Sequence, residues 1–206
     1  MIDLADEQTA NPTAKEILRV AARLFAARGY DATPVQAIVD AAGVTKPTLY
    51  YHFKSKEGLA QALLTVPLTR LLENLRALVN QPRDPVARLV EFLETHFSFV
   101  REDPDRVRFF YSLFFGPGGS ALATELMSFG ERLDALLMEA VDHLAQAGVI
   151  ASERAQAFFV LVRGMIIMST MDYLYCGVEL GQDRARCLVD DLLRGFGAEG
   201  WNKGQR

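Results

Sequence analysis

The chain has 206 residues, half of them hydrophobic and 23% charged, with a net charge of −4 and a pI near 5.4. That is enough to bury a real core and too apolar for a disordered chain, so one or two small globular domains are expected. Acidity argues against a general nucleic-acid coat protein, yet the charge is uneven: residues 11–58 carry seven basic against four acidic side chains, net +3, which leaves −7 for the remainder.

Residues 1–11 are acidic, lack an apolar core and read as a flexible arm rather than a signal peptide. A first helix is expected over 12–27, with Ile17, Ala21, Leu24 and Phe25 as its core stripe and Lys15, Arg19 and Arg23 in an opposite row. Thr33 offers a capping hydroxyl and Pro34 a first helical position, after which Val35, Ile38, Val39 and Ala42 recur at helical spacing. Gly43 allows a sharp turn, Thr45 caps the next helix, and Pro47 is tolerated in its first turn. At about 100° per residue, Leu49 and Phe53 point inward while Pro47, Thr48 and Tyr51 point outward, flanked by Lys46, Tyr50 and His52. Two short helices joined by a tight turn, the second presenting polar and aromatic groups, suggest a helix–turn–helix that enters the major groove of DNA.

Ser55 caps a fourth helix whose apolar pattern runs to Leu78, with Pro67 expected to kink or briefly break it. Asp84-Pro85 and Asp103-Pro104 repeat one starting device for helices over 85–101 and from 104 to the Gly116–Gly119 stretch. Further helices are expected over 120–147, from Ser152-Glu153 to Cys176, and over 183–196. No segment alternates with strand period, so the fold class is all-α, with about nine helices.

The segment GVTKPTLYYHFKSKEGL, with AARLFAARGYDATPVQAIVDAAG before it, resembles the DNA-binding signature of the TetR family of transcriptional regulators over residues 17–63. The resemblance implies an N-terminal three-helix DNA-binding domain, 12–58, followed by an effector-binding and dimerisation bundle, 59–200. It implies a homodimer, joined through the last two helices, on a palindromic operator in double-stranded DNA. It also implies release by a small-molecule effector, and thus a repressor. Carried onto this sequence, Lys46, Pro47, Thr48, Tyr50, Tyr51 and His52 would meet the groove and its phosphates. Val35 and Gln36 would approach from the preceding helix, and Lys56 would hold a phosphate. This set has no Arg or Asn, so Lys46 is the best base donor, Gln36 an adenine reader, and Thr48 a partner for a thymine methyl. Phosphates and DNA shape should then supply much of the affinity.

The body is dense in aromatic and methionine side chains, which a bundle core needs and which also suit an adaptable apolar pocket. With the resemblance, Phe92, His96, Phe99, Phe110, Phe114, Met138, Met168 and Asp172 become the candidate effector-binding set. The helix around Phe158–Ile167 is apolar nearly all round and must be covered on most sides. Its apolar run, 158–171, is interrupted by Arg163 and closed by Asp172, short of the roughly 20 residues of a spanning helix, so a soluble, cytoplasmic protein without membrane contact is expected. Cys176 and Cys187 form neither a disulfide framework nor a zinc cluster. His52, His96 and His143 lie far apart, and there is no HExxH, P-loop or GxSxG. No catalytic residue, metal or cofactor is expected. The competing readings are an all-α enzyme or ligand carrier with an incidental helix–turn–helix, and a DNA-binding activator without an effector.

Overall fold

The fold is that of a computed structural model, described over residues 11–116, 120–181 and 183–195. Nearly all of the expected arm 1–11, the Pro117–Gly119 part of the turn, and the end of the last helix from Phe196 lie outside the described residues. Within them the chain is helical: α1 (Pro12–Arg28), α2 (Val35–Ala42), α3 (Lys46–Phe53), α4 (Lys56–Val79), α5 (Pro85–Glu102), α6 (Pro104–Phe114), α7 (Ala121–Gln146), a 3₁₀ turn (Ser152–Arg154), α8 (Ala155–Tyr175) and α9 (Arg184–Arg194). No strand occurs among the described residues.

Local chemistry accounts for most helix starts. The Asn11 carboxamide accepts from the Thr13 and Ala14 amides at 2.9 and 3.3 Å, with Pro12 opening α1. Asp84 accepts from the Ala87 amide at 2.8 Å and Asp103 from the Arg106 amide at 3.0 Å, so the repeated Asp-Pro device works as expected. Two expectations need correction. Thr33 does not cap α2: fully buried, its hydroxyl donates backwards to the Gly29 carbonyl at 2.7 Å and more weakly to that of Leu24 at 3.3 Å, while Pro34 itself is the N-cap. And of the kink or break expected at Pro67, the break does not occur: α4 runs helical through it. The proline still deletes one rung, since it has no N–H for the Leu63 carbonyl.

The described residues form two compact units. One joins the stretch up to Glu73 with Glu102–Arg132; the other joins Asn74–Arg101 with the described residues from Leu133 onward. In the first, the fully buried Phe25 of α1 stacks at a tilt on Phe109 of α6 (5.0 Å between centroids) and on Tyr30 (5.2 Å). The core of the helix–turn–helix therefore extends into α6. In the second, Phe92, Leu93 and Phe97 of α5 are fully buried, with Val141 and Leu144 of α7 and Val162 of α8.

Candidate nucleic-acid interface

The turn between α2 and α3 is set by Gly43, which sits in the left-handed region at φ 64° and lets the Val44 amide return to the Val39 carbonyl at 3.0 Å. Thr45 then caps α3: its hydroxyl lies 2.9 Å from the Thr48 hydroxyl and accepts weakly from the Thr48 amide at 3.4 Å. At the other end, the Ser55 amide bonds the Phe53 carbonyl at 2.7 Å around Lys54, whose φ of 63° is the one positive value off glycine among the described residues. That three-residue turn is a tight and strained one. Ser55 caps α4 through the Gly58 amide at 2.9 Å. A Cβ on Gly58 would lie 2.2 Å from the Phe53 carbonyl oxygen, so the exit from α3 and the first turn of α4 meet backbone to backbone.

This frame buries Leu49 and Phe53 and leaves Lys46, Pro47, Tyr50 and Tyr51 exposed, Tyr51 to 74%. Thr48 is half-buried, with its hydroxyl against Thr45. His52 departs from the expected outward set: it is buried, 9% exposed, beside Leu49 one turn back, with its ring edge-on to Tyr51. On α2, Val35 is half-buried, and Gln36 is exposed with its amide held by Asp40 at 2.7 Å. Lys56 is committed within the protein. Its ammonium lies 4.3 Å above the Tyr30 ring and 3.4 Å from the Asp31 carbonyl, and partial burial lowers its pKa against the opposing pull of Asp31. Lys54 was not singled out by the sequence. Exposed, it donates to the Tyr51 carbonyl at 3.1 Å and lies 5.8 Å over the Tyr51 ring, adding a cation beside the outward tyrosine. Of the α1 basic row, Arg19 is occupied by Glu16 through two contacts of 2.6 and 2.8 Å.

A family model described as "Bacterial regulatory proteins, tetR family" matches residues 17–63, the segment that builds this frame. Over that segment the chain carries the DNA-binding signature of the TetR family. Among relatives, the transcriptional repressor KstR2 of Mycobacterium tuberculosis is 42% identical over 74 residues, covering 36% of this chain and 37% of its own. The transcriptional activator FasR of Mycolicibacterium smegmatis is 34% identical over 96 residues, covering 47% and 44%. Each match thus spans less than half of the relative's length. Likeness over most of the chain comes from a solved TetR-family regulator, PfmR of Thermus thermophilus, at 26% identity and a TM-score of 0.70, covering 88% of this chain and 96% of that one. The relatives are transcriptional regulators, and the TetR fold extends through the body helices.

The candidate effector set divides between the units. Phe110, buried, and Phe114, 41% exposed, belong to the first; Phe92, His96, Phe99, Met138, Met168 and Asp172 belong to the second. Phe92 is fully buried, whereas Phe99, Met138 and Asp172 are half-buried. Met168 is 58% exposed and lies on the outer surface of α8 rather than inside the body. His96 is half-buried as a residue, but its Nδ1 is buried without a partner, and burial drives its pKa down to about 4. Arg163, an unexpected charge in α8, pairs with Asp134 of α7 at 2.9 Å. Even so, burial leaves the Asp134 carboxyl above its usual pKa. Among the described residues, no cluster of three or more His, Cys, Asp or Glu side chains could hold a metal.

Proposed function

We propose that the protein is a DNA-binding transcriptional regulator that acts as a homodimer on a two-fold symmetric operator. The observation that carries this reading is α3 itself: two inward apolar anchors, a backbone-locked turn at each end, and Lys46, Pro47, Tyr50 and Tyr51 facing solvent. A lone eight-residue helix with this side-chain set has no evident role inside the protein. It suits a groove, with Thr48, Val35 and Gln36 at its margins and Lys54 and Lys56 toward the phosphates, while His52 supports the helix from behind.

One such helix covers a short half-site, so useful specificity needs two copies. The dimer reading rests on α8, where Val160, Leu161, Met168 and Tyr175 are each more than half exposed and fall on one stripe. The half-buried Leu188 and Leu192 of α9 extend the apolar surface. The helix from Ser152 to Tyr175 is also long and apolar enough to cross a membrane by length and composition, contrary to the expectation from its interrupted run. The ion pair of Arg163 with Asp134 and the partial burial of the helix favour a partner helix as its cover, and a DNA target implies a cytoplasmic location.

As effector we propose a small apolar or aromatic molecule held near Phe92, Phe99 and Met138, with the unpartnered Nδ1 of His96 as its polar anchor. Repression follows the KstR2 precedent, while FasR, named an activator, keeps the opposite sign open to experiment. Selection from random duplexes tests the core reading: enriched sites with two-fold symmetry are expected. Recovery of no enriched site would favour a ligand carrier with an unused helix–turn–helix.

A further inference from the structure

The second unit contains a cleft of about 470 Å³, inside the range of roughly 300–1,000 Å³ typical of small-molecule sites. It is bounded by the C-terminal ends of α4 and α7 and the start of α5. Its polar lining is Asn80, Gln81, Arg83, Arg88, His143 and Gln146, and no carboxylate lines it. In a chain of net charge −4, such a cleft is unusual in carrying two guanidinium groups and an imidazole with no acid.

Arg88 is the centre of the site. It is only 8% exposed, and its guanidinium donates to the Val79 carbonyl at 3.0 Å, the Arg83 carbonyl at 2.9 Å and His143 Nδ1 at 2.5 Å. A guanidinium cannot accept, so His143 Nδ1 must, which leaves the proton of the neutral ring on Nε2 as a further donor. These partners are neutral. Val79 ends α4 and His143 lies in the last turn of α7, so the guanidinium meets the partial negative charge of helix ends but no full counter-charge. Its Nε is buried with no partner. Of the nearby acids, Asp84 is engaged in capping α5 and Glu91 is paired with Arg83 at 2.6 Å on the exposed side. A buried cation without a full counter-charge is costly unless something completes it.

We infer that this cleft binds an oxyanion, a phosphoryl or carboxylate group, with Arg88 as its fixed donor and Arg83, His143 Nε2 and Gln146 around it. Planar guanidinium groups pair best with such groups. The inference stands independently of the DNA-binding reading, since it uses neither α3 nor the effector residues.

The test is thermal unfolding of the full chain, titrated with inorganic phosphate and separately with acetate, each against sodium chloride at matched ionic strength. The midpoint should rise and saturate with phosphate, with acetate, or with both; the arm that saturates at lower concentration identifies the source as phosphoryl or carboxylate. Because phosphate also stabilises proteins generally by exclusion from their surface, two variants at exposed positions carry the decision. Gln146→Glu, which places a carboxylate in the cleft, and Arg83→Gln should keep the chloride midpoint and raise the half-saturating concentration about tenfold or more. Arg88→Met should abolish saturation; if it fails to fold, the two exposed variants decide alone. A response that never saturates, or one that both exposed variants leave unchanged, would overturn the inference.

Discussion

At the scale of single residues, the interface separates groups that face out from groups that hold the frame. Lys46 is exposed with nothing behind it, whereas Lys56 is bound to the Tyr30 ring and the Asp31 carbonyl. Lys46→Ala should therefore change sequence preference, by ~1–3 kcal/mol at one base pair if the contact is to a base edge, and leave the melting temperature alone. Lys56→Ala should do two things at once. It should lower stability by ~0.5–2 kcal/mol through the lost cation–π contact, and weaken binding to every duplex with a salt slope shallower by about 1. Melting curves and salt titrations of both variants would show whether this split is correct. His96 gives a pH prediction. Its folded pKa is near 4 against an unfolded value of about 6.5, so the unfolded chain binds the extra proton between those values. Stability is then fully present above pH 6.5 and falls as pH drops toward 4, by about 2 kcal/mol between pH 6.5 and 5. Urea midpoints over that window should show a steeper decline for the parent than for His96→Gln.

At the scale of elements, helix boundaries were the most legible part of the sequence, because each Asp-Pro pair and Gly43 act through neighbours a few residues away. Thr33 was misread for the same reason. A hydroxyl beside a proline looks identical whether it caps forward or closes the loop behind it, and only the placement of the Gly29 and Leu24 carbonyls decides. His52 and Met168 show another limit: helical periodicity gives the direction of a side chain, not what covers it. The Arg88–His143 contact joins positions 55 apart and has no local signal at all. Pro67 falls between these cases, since its chemistry was legible and its consequence was not. Because α4 stays helical around a missing rung, Pro67→Ala should restore the bond to the Leu63 carbonyl and raise stability by roughly 1–3 kcal/mol. If α4 flexes there when an effector binds, the same variant should release the operator less readily. Thermal melts and effector titrations on operator-bound protein measure the two effects separately.

At the scale of the whole molecule, the proposed function depends on a second copy. Leu161 is 55% exposed in the single chain, so Leu161→Asp should leave the protomer folded while placing an unpaired carboxylate in the proposed α8–α9 interface, at a cost of several kcal/mol. Sedimentation at micromolar concentration should show a dimer for the parent and a monomer for the variant, and the variant should lose symmetric operators while keeping weak non-specific binding. A parent that stays monomeric would refute the interface. The proposed dimer would also account for effector action: DNA demands recognition helices about 34–36 Å apart, so a small change in their spacing costs contacts in both half-sites. Linkage then requires DNA to weaken effector binding by the same factor, about 5–150-fold for coupling of typical size. The close approach of Gly58 to the Phe53 carbonyl carries a further consequence. Since α3 is clamped by backbone at both ends and anchored by Leu49, His52 and Phe53, its outward positions are spare as far as folding is concerned. On the proposed DNA-binding reading, positions 46, 47, 50 and 51 form an exchangeable reading surface. An engineer could randomise them to retarget the protein to new operators, whereas Gly43 and Gly58 belong to the mount and have to stay.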